Sequence, residues 1–210
     1  MTQRELGLDL GVTKDVHVIG IDFAYRNVGI ASIHVSSRYC ICVSESCVNE
    51  NCKIEFVKNH ALVRDCYTVS TRDSKDKESK SKKLIDGSKY LHRSITDLIS
   101  QYKNVSHIFI EMPYGSQSNR SAVGMGVCYG VVASMMNDYI DDNINVEIVT
   151  PSSAKKFACR ANATKKEMIE SARYKYPNNA WMNTNLDEHM ADAIWVGLAG
   201  YWEMLNVKNS

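Results

Sequence analysis

The chain begins with apolar and polar positions in strand-like runs and turns to a helical period further on. His17 to Asp22 (HVIGID) and Val28 to Val35 (VGIASIHV) are short apolar segments joined by the tight linker FAYRN, which predicts a β-hairpin. Tyr39 to Val43 alternates, and Lys53 to Val57 and Ala61 to Val69 are also β-prone. Between Lys82 and Tyr102 the apolar residues Leu84, Ile85, Leu91, Ile95, Leu98 and Ile99 recur at a helical period. Ser106 to Glu111 (SHIFIE) predicts a strand ending in an acid, Ser118 to Tyr139 a helix, and Val146 to Val149 a further strand. Thr150-Pro151 is an N-cap followed by a proline at the first helical position, so a helix starts there. Ala163 to Tyr176 continues helical up to Pro177, and Leu186 to Leu205 closes the chain with an apolar helix. Strands first, then helices alternating with strands, predict an α/β fold with a mixed sheet flanked by helices. No internal repeat or domain boundary interrupts this order, so residues 1–210 are read as a single domain.

Composition adds limits. A chain of 210 residues with 44% apolar and 23% charged positions has enough material for one core. No apolar run reaches the roughly 18 residues of a membrane span, and MTQRELGLDLG carries acids where a signal peptide has a basic flank, so an intracellular, soluble protein is expected. Seven cysteines without an export signal argue for reduced thiols or a metal site rather than a disulfide framework.

The net charge of +1 conceals a segregated distribution. Arg72 to Arg93 holds eight Lys or Arg against four acids, and Lys155 to Lys175 seven against two. Asn183 to Val207 holds Asp187, Glu188, Asp192 and Glu203 with no basic residue. Two basic blocks around an acidic helix suit a polyanion-binding surface built about a cation site, with Lys82, Lys83, Lys155, Lys156 and Lys166 as candidate phosphate contacts. A Lys/Ser run taken alone is more often a solvated loop, and the neighbouring acids are what favour the binding reading.

Asp22 and Glu111 each end a strand, where side chains project beyond the sheet into a crevice. Asp192 lies on the last helix in LDEHMADAIW, with His189 three and Glu188 four residues earlier on the same face. Three carboxylates from two strands and a helix are a donor set for Mg²⁺, with Glu188 and His189 as further candidate ligands. Asp187 is read as the N-cap of the final helix. Asp9, in LGLDLGVTK, has a similar strand-end context but lacks the antiparallel partner strand that Val28 to Val35 gives Asp22.

VIGIDFAYRNVGIASI, IFIEMPYG, VTPSSAKKFACRANATKKEM and LDEHMADAIWVGLA, in that order, resemble the RuvC family of Holliday-junction resolvases within the RNase H-like nuclease superfamily. The resemblance covers about residues 16–35 and 84–203. It implies a five-stranded mixed sheet with the first three strands antiparallel and helices on its faces. It also implies that Asp22, Glu111 and Asp192 are catalytic acids, and that His189 holds a position where relatives carry Asp or His. By the same resemblance Lys165 takes the place of a lysine near the cleaved phosphate, with Lys166 beside it, and Tyr114 that of an aromatic set against junction bases. Such an enzyme uses two Mg²⁺ ions, with Mn²⁺ as a substitute, and leaves 5′-phosphate and 3′-hydroxyl ends. Its partner is branched DNA, a four-way junction, and paired cuts imply a homodimer.

Gly126, Gly130 and Ser134 fall at four-residue spacing on the helix 118–139. Such a seam more often packs within its own chain, against the sheet, although related resolvases use this helix near the dimer interface. Residues of about 38–83 are longer than a bacterial resolvase needs and are read as a Cys/Lys-rich insertion. Structural zinc at Cys40, Cys42, Cys47 and Cys52 is disfavoured, because C-x-C-x4-C-x4-C fits none of the familiar zinc ribbons. Other readings stay open: a less selective branched-DNA or flap nuclease, an RNA-directed RNase H-like nuclease, and a non-catalytic junction-binding protein, which the intact acids disfavour. A sugar kinase or actin-like ATPase is disfavoured because the chain is short and lacks a second phosphate-binding glycine loop.

Overall fold

A computed structural model describes residues 15–36, 61–71, 79–113, 115, 118–139, 143–179 and 185–207. The hairpin is present: β1 (Val16–Asp22) pairs antiparallel with β2 (Asn27–Val35), in a register that sets Asp22 opposite Gly29. β3 (Ala61–Ser70) continues the antiparallel run on the far side of β2. Ser32 faces Asp65 and Ile33 faces Val63, so Arg64 is the additional residue of a bulge. The other edge of β1 pairs in parallel with β4 (Val105–Glu111), and β4 in parallel with β5 (Asn145–Val149). The sheet order is β3-β2-β1-β4-β5, the five-stranded mixed sheet expected from the resemblance.

Side-chain alternation along the strands divides the core into two layers. Ile19, Ile21, Val28, Ile30, Ile108 and Ile110 pack under α1 (Lys80–Ser100) and α2 (Asn119–Tyr139). Val18, Ala31, Ile33 and Phe109 point the other way, under α3 (Pro151–Ala158), α4 (Lys165–Lys175) and α5 (Glu188–Val207). By the same alternation Gly20, Asp22, Gly29 and Glu111 belong to the α5 side. α5 is apolar almost all round because the sheet covers one flank and α3 and α4 cover another. Its Trp195 is fully buried and donates its indole N–H to the Met168 carbonyl at 3.0 Å.

Two sequence expectations change. The helix expected from Ala163 begins at Lys165, because Thr164 caps it: the Thr164 hydroxyl accepts from the Glu167 amide, and Glu167 accepts from the Thr164 amide in return. Arg160 also grips Glu167 at 2.6 Å, and these donors hold the Glu167 carboxyl down at about 2. The range 38–83, taken as an insertion, contains β3 and the first turn of α1, so residues 61–70 are part of the sheet itself. The remaining strands expected in that range, Tyr39 to Val43 and Lys53 to Val57, lie outside the described residues, as do Asp9 and the four cysteines Cys40, Cys42, Cys47 and Cys52.

Candidate active site

Asp22 and Glu111 are direct register partners at the carboxyl ends of β1 and β4. The Phe23 amide donates to the Glu111 carbonyl at 2.9 Å, which holds the two strand ends together just where the chain leaves the sheet. α5 brings its first turns over this edge. The approach is close because glycines line it: a Cβ on Gly29 would run into the backbone carbonyl of His189, and one on Gly20 would lie 2.6 Å from the Gly197 amide nitrogen. The start of α5 is further fixed by Asp187, which accepts from the Met190 amide at 2.8 Å as the N-cap read from sequence and from the Thr68 hydroxyl of β3 at 2.6 Å.

His189 Nδ1 thereby reaches Asp22 Oδ2 at 2.9 Å, with only 18% and 15% of the two side chains exposed. That contact raises the imidazole's affinity for a proton, against the opposing effect of burial. Glu188 turns toward α4, where its Oε1 takes the Lys165 ammonium at 2.7 Å, and the same oxygen is 3.6 Å from His189 Nε2. The carboxylate of Glu188 holds the Lys165 proton more firmly than usual.

Burial and like charge act together in the cleft. Burial, then the charges of Asp22 and Asp192, push the Glu111 carboxyl up to about 8, with the Lys155 ammonium opposing. Burial and Asp22 raise Asp192 to about 6, against Lys165 and His189. Three hard oxygen donors held together in a half-buried cleft are a fit for a divalent cation such as Mg²⁺ or Mn²⁺, whose charge favours their ionised forms against both burial and mutual repulsion. Among the described residues no three acidic, histidine or cysteine side chains form a preassembled metal-holding cluster. An ion that keeps water and substrate oxygens in its coordination sphere requires none.

The structure thus brings together Asp22, Glu111, Asp192, His189, Glu188, Lys165 and Lys155. Lys83 belongs to α1, on the opposite face of the sheet from α5, and its carbonyl accepts from the hydroxyl of Tyr25, in the turn that follows Asp22, at 3.5 Å. Lys82 and Lys156 are exposed in the first turn of α1 and the last turn of α3. Lys166 points to solvent and is 3.7 Å from Glu170 on its own helix. Tyr114 lies outside the described residues. Gly29, Thr68 and Glu167 were not singled out from sequence; a glycine inside a strand and the T-x-x-E pattern at Thr164 were the available signals for Gly29 and Glu167.

On α2 the glycine seam differs from the favoured expectation. Gly126, Gly130 and Ser134 are exposed, and a Cβ on either glycine would meet nothing within 4 Å, so the seam faces away from the sheet. The reason is that Cys128, Val131, Val132 and Met135 take the inward face.

No protein-family model and no curated protein matches this sequence. Solved structures do match in fold. Thermus thermophilus RuvC superposes with a TM-score of 0.60 at 15% identity, over 89% of this chain and 93% of that one. The T. thermophilus RuvC complex with a Holliday junction substrate gives 0.59 at 13% identity with the same coverage. Ydc2, the yeast mitochondrial Holliday junction resolvase, gives 0.55 at 14%, over 94% of this chain and 85% of that one. The chain has a RuvC-like fold.

Proposed function

We infer that this chain is a metal-dependent endonuclease that resolves four-way DNA junctions. The observation that carries the reading is the meeting of Asp22 and Glu111, at the carboxyl ends of β1 and β4, with Asp192 of α5 in a RuvC-like fold, where burial and neighbouring carboxylates raise the proton affinity of Glu111 and Asp192. Asp22, Glu111 and Asp192 would hold two Mg²⁺ or Mn²⁺ ions, whose chemistry when bound is to acidify the attacking water and neutralise charge on the phosphate. Around them, His189 is oriented by Asp22 and exchanges a proton at Nε2. Lys165 neutralises a non-bridging phosphate oxygen, and Lys155 steadies the Glu111 side. Lys82, Lys83, Lys156 and Lys166 supply further phosphate contacts along the junction arms.

Two symmetric cuts need two such sites. The exposed seam of Gly126, Gly130 and Ser134, beside Val123 and Tyr129 at 50% and 48% exposure, gives α2 an apolar outer face on which a second copy can dock.

The test is cleavage of a synthetic four-way junction beside a linear duplex, a flap and an RNA–DNA hybrid, with and without Mg²⁺. Paired, Mg²⁺-dependent nicks in the junction are expected, leaving 5′-phosphate ends. Faster cutting of the flap would replace resolution by flap cleavage, and preference for the hybrid would identify an RNA-directed nuclease.

A further inference from the structure

Glu188 has a position that the other acids do not share. It is the first residue of α5, and its carboxylate lies between two side chains beside the cleft, those of Lys165 and His189. Oε1 holds the Lys165 ammonium at 2.7 Å, and it is 3.6 Å from Nε2 of the histidine whose Nδ1 is on Asp22. Lys165 opens α4, whose start is fixed by the Thr164–Glu167 capping box, so the lysine backbone is anchored while its side chain, 63% exposed, is not. A lysine has four rotatable bonds and no preferred fork of donors, and it keeps one direction only when something holds its end. Glu188 is what holds it here. Resting on the nuclease reading above, we propose that Glu188 is a positioning residue that aims Lys165 at the carboxylate cleft, and is not a metal ligand.

The size of the effect follows from the exposure of the pair. With 63% and 40% of the side chains open to solvent, the ion pair adds little to folding. It biases the direction of Lys165 by roughly fivefold at most. The bias should therefore appear in the chemical step and not in substrate binding, because a displaced lysine still attracts DNA at long range.

The experiment compares wild type, Glu188→Gln, Glu188→Ala, Lys165→Ala and the Glu188→Ala/Lys165→Ala double variant. In the metal-free protein, the order parameter of the Lys165 side-chain terminus is measured by NMR, with Lys166 as internal reference. It should fall in both Glu188 variants while Lys166 stays constant. In single-turnover cleavage of a junction, Glu188→Ala should lower the maximal rate about fivefold with KM unchanged, and should cost nothing further in the Lys165→Ala background. The Mg²⁺ concentration for half-maximal rate should not move.

An unchanged Lys165 order parameter, or a full loss retained without Lys165, would overturn the assignment. A tenfold rise in the Mg²⁺ requirement would do so as well, and would make Glu188 a ligand. If wild type cuts no branched DNA, the nuclease reading fails, and the NMR arm decides the anchoring of Lys165 independently.

Discussion

Gly29→Ala probes how the active site is assembled, because the added methyl meets backbone rather than a movable side chain. Gly29 is the register partner of Asp22, and its missing Cβ is the space occupied by the His189 carbonyl. A methyl placed there is far inside contact distance, and the strand cannot retreat because β2 is paired on both edges. The first turn of α5 has to move outward by roughly 1 Å, and a displacement of that size at a reacting centre costs about 10²-fold in rate. Overpacking of this kind also costs about 1–3 kcal/mol of stability, so lost activity alone would not identify the mechanism. Gly200→Ala supplies the control. Gly200 is on the same helix, roughly 16 Å beyond His189 at 1.5 Å per residue, where α5 carries no candidate site residue, and its added methyl is forced against the Phe109 ring of β4. The assay is single-turnover junction cleavage at saturating Mg²⁺, with thermal unfolding of each variant. Gly29→Ala should be slowed about 10²-fold while Gly200→Ala, similarly destabilised, keeps most of its rate. Equal rates for the two variants at equal stability would refute the claim that the glycine sets the position of His189 and Asp192.

Three other outcomes are expected. Asp22→Asn, Glu111→Gln or Asp192→Asn should abolish Mg²⁺-dependent cleavage while gel-shift binding of the junction persists, since each amide keeps the shape and removes the charge; normal turnover by any variant would remove that residue from the site. Metal-free stability should fall as pH rises, because Glu111 at about 8 and Asp192 at about 6 keep protons that the unfolded chain has released: their contribution is full below the ordinary carboxyl values and is lost as pH passes 6 and then 8. Calorimetry from pH 5 to 9 reads this, Glu111→Gln should flatten the upper part of the decline, and an unaltered profile in that variant would refute the assignment. Gly130→Leu, whose side chain enters open space, should leave the folded monomer intact but lower dimer content in sedimentation and turn paired junction cuts into single nicks; an unchanged dimer would place the interface elsewhere.

The strands and the acids were legible in the sequence because each rests on local pattern. HVIGID and SHIFIE end in acids, period-two alternation aims both toward one layer, and a final helix with Asp192 and His189 on one face completes the set. What local pattern does not encode is how elements meet. Gly20, Gly29, Gly197 and Gly200 read as isolated glycines in strand or helix, and only their apposition shows that α5 lies against the sheet backbone. The orientation of α2 is not legible for a related reason: small residues at four-residue spacing suit a buried face and a docking face equally, and the choice is made by the larger side chains of Cys128, Val131, Val132 and Met135 on the opposite side. The start of α4 was displaced by two residues because helical periodicity runs through Thr164, whereas the side-chain cap stops the helix there.

The same apposition explains how the protein tolerates a cluster of carboxylates that repel one another. Burial and then the nearby carboxylates raise the cost of ionising Glu111 and Asp192, and Lys155, Lys165 and His189 oppose those shifts without cancelling them. The compensation is supplied along α5 instead, where Ala191, Ala193, Ile194, Trp195, Val196, Leu198 and Ala199 are buried against the sheet and its neighbouring helices. A helix so deeply packed cannot tilt away from the carboxylates to relieve their repulsion, and the sheet cannot separate Asp22 from Glu111 without breaking the β1–β4 ladder. The tension therefore persists in the folded state, where two routes can release it: proton uptake as pH falls through 8 and then 6, or binding of a divalent cation. A site that is costly when empty is one in which cation binding and folding stability are linked, and the rigid α5–sheet contact is the element that makes them so.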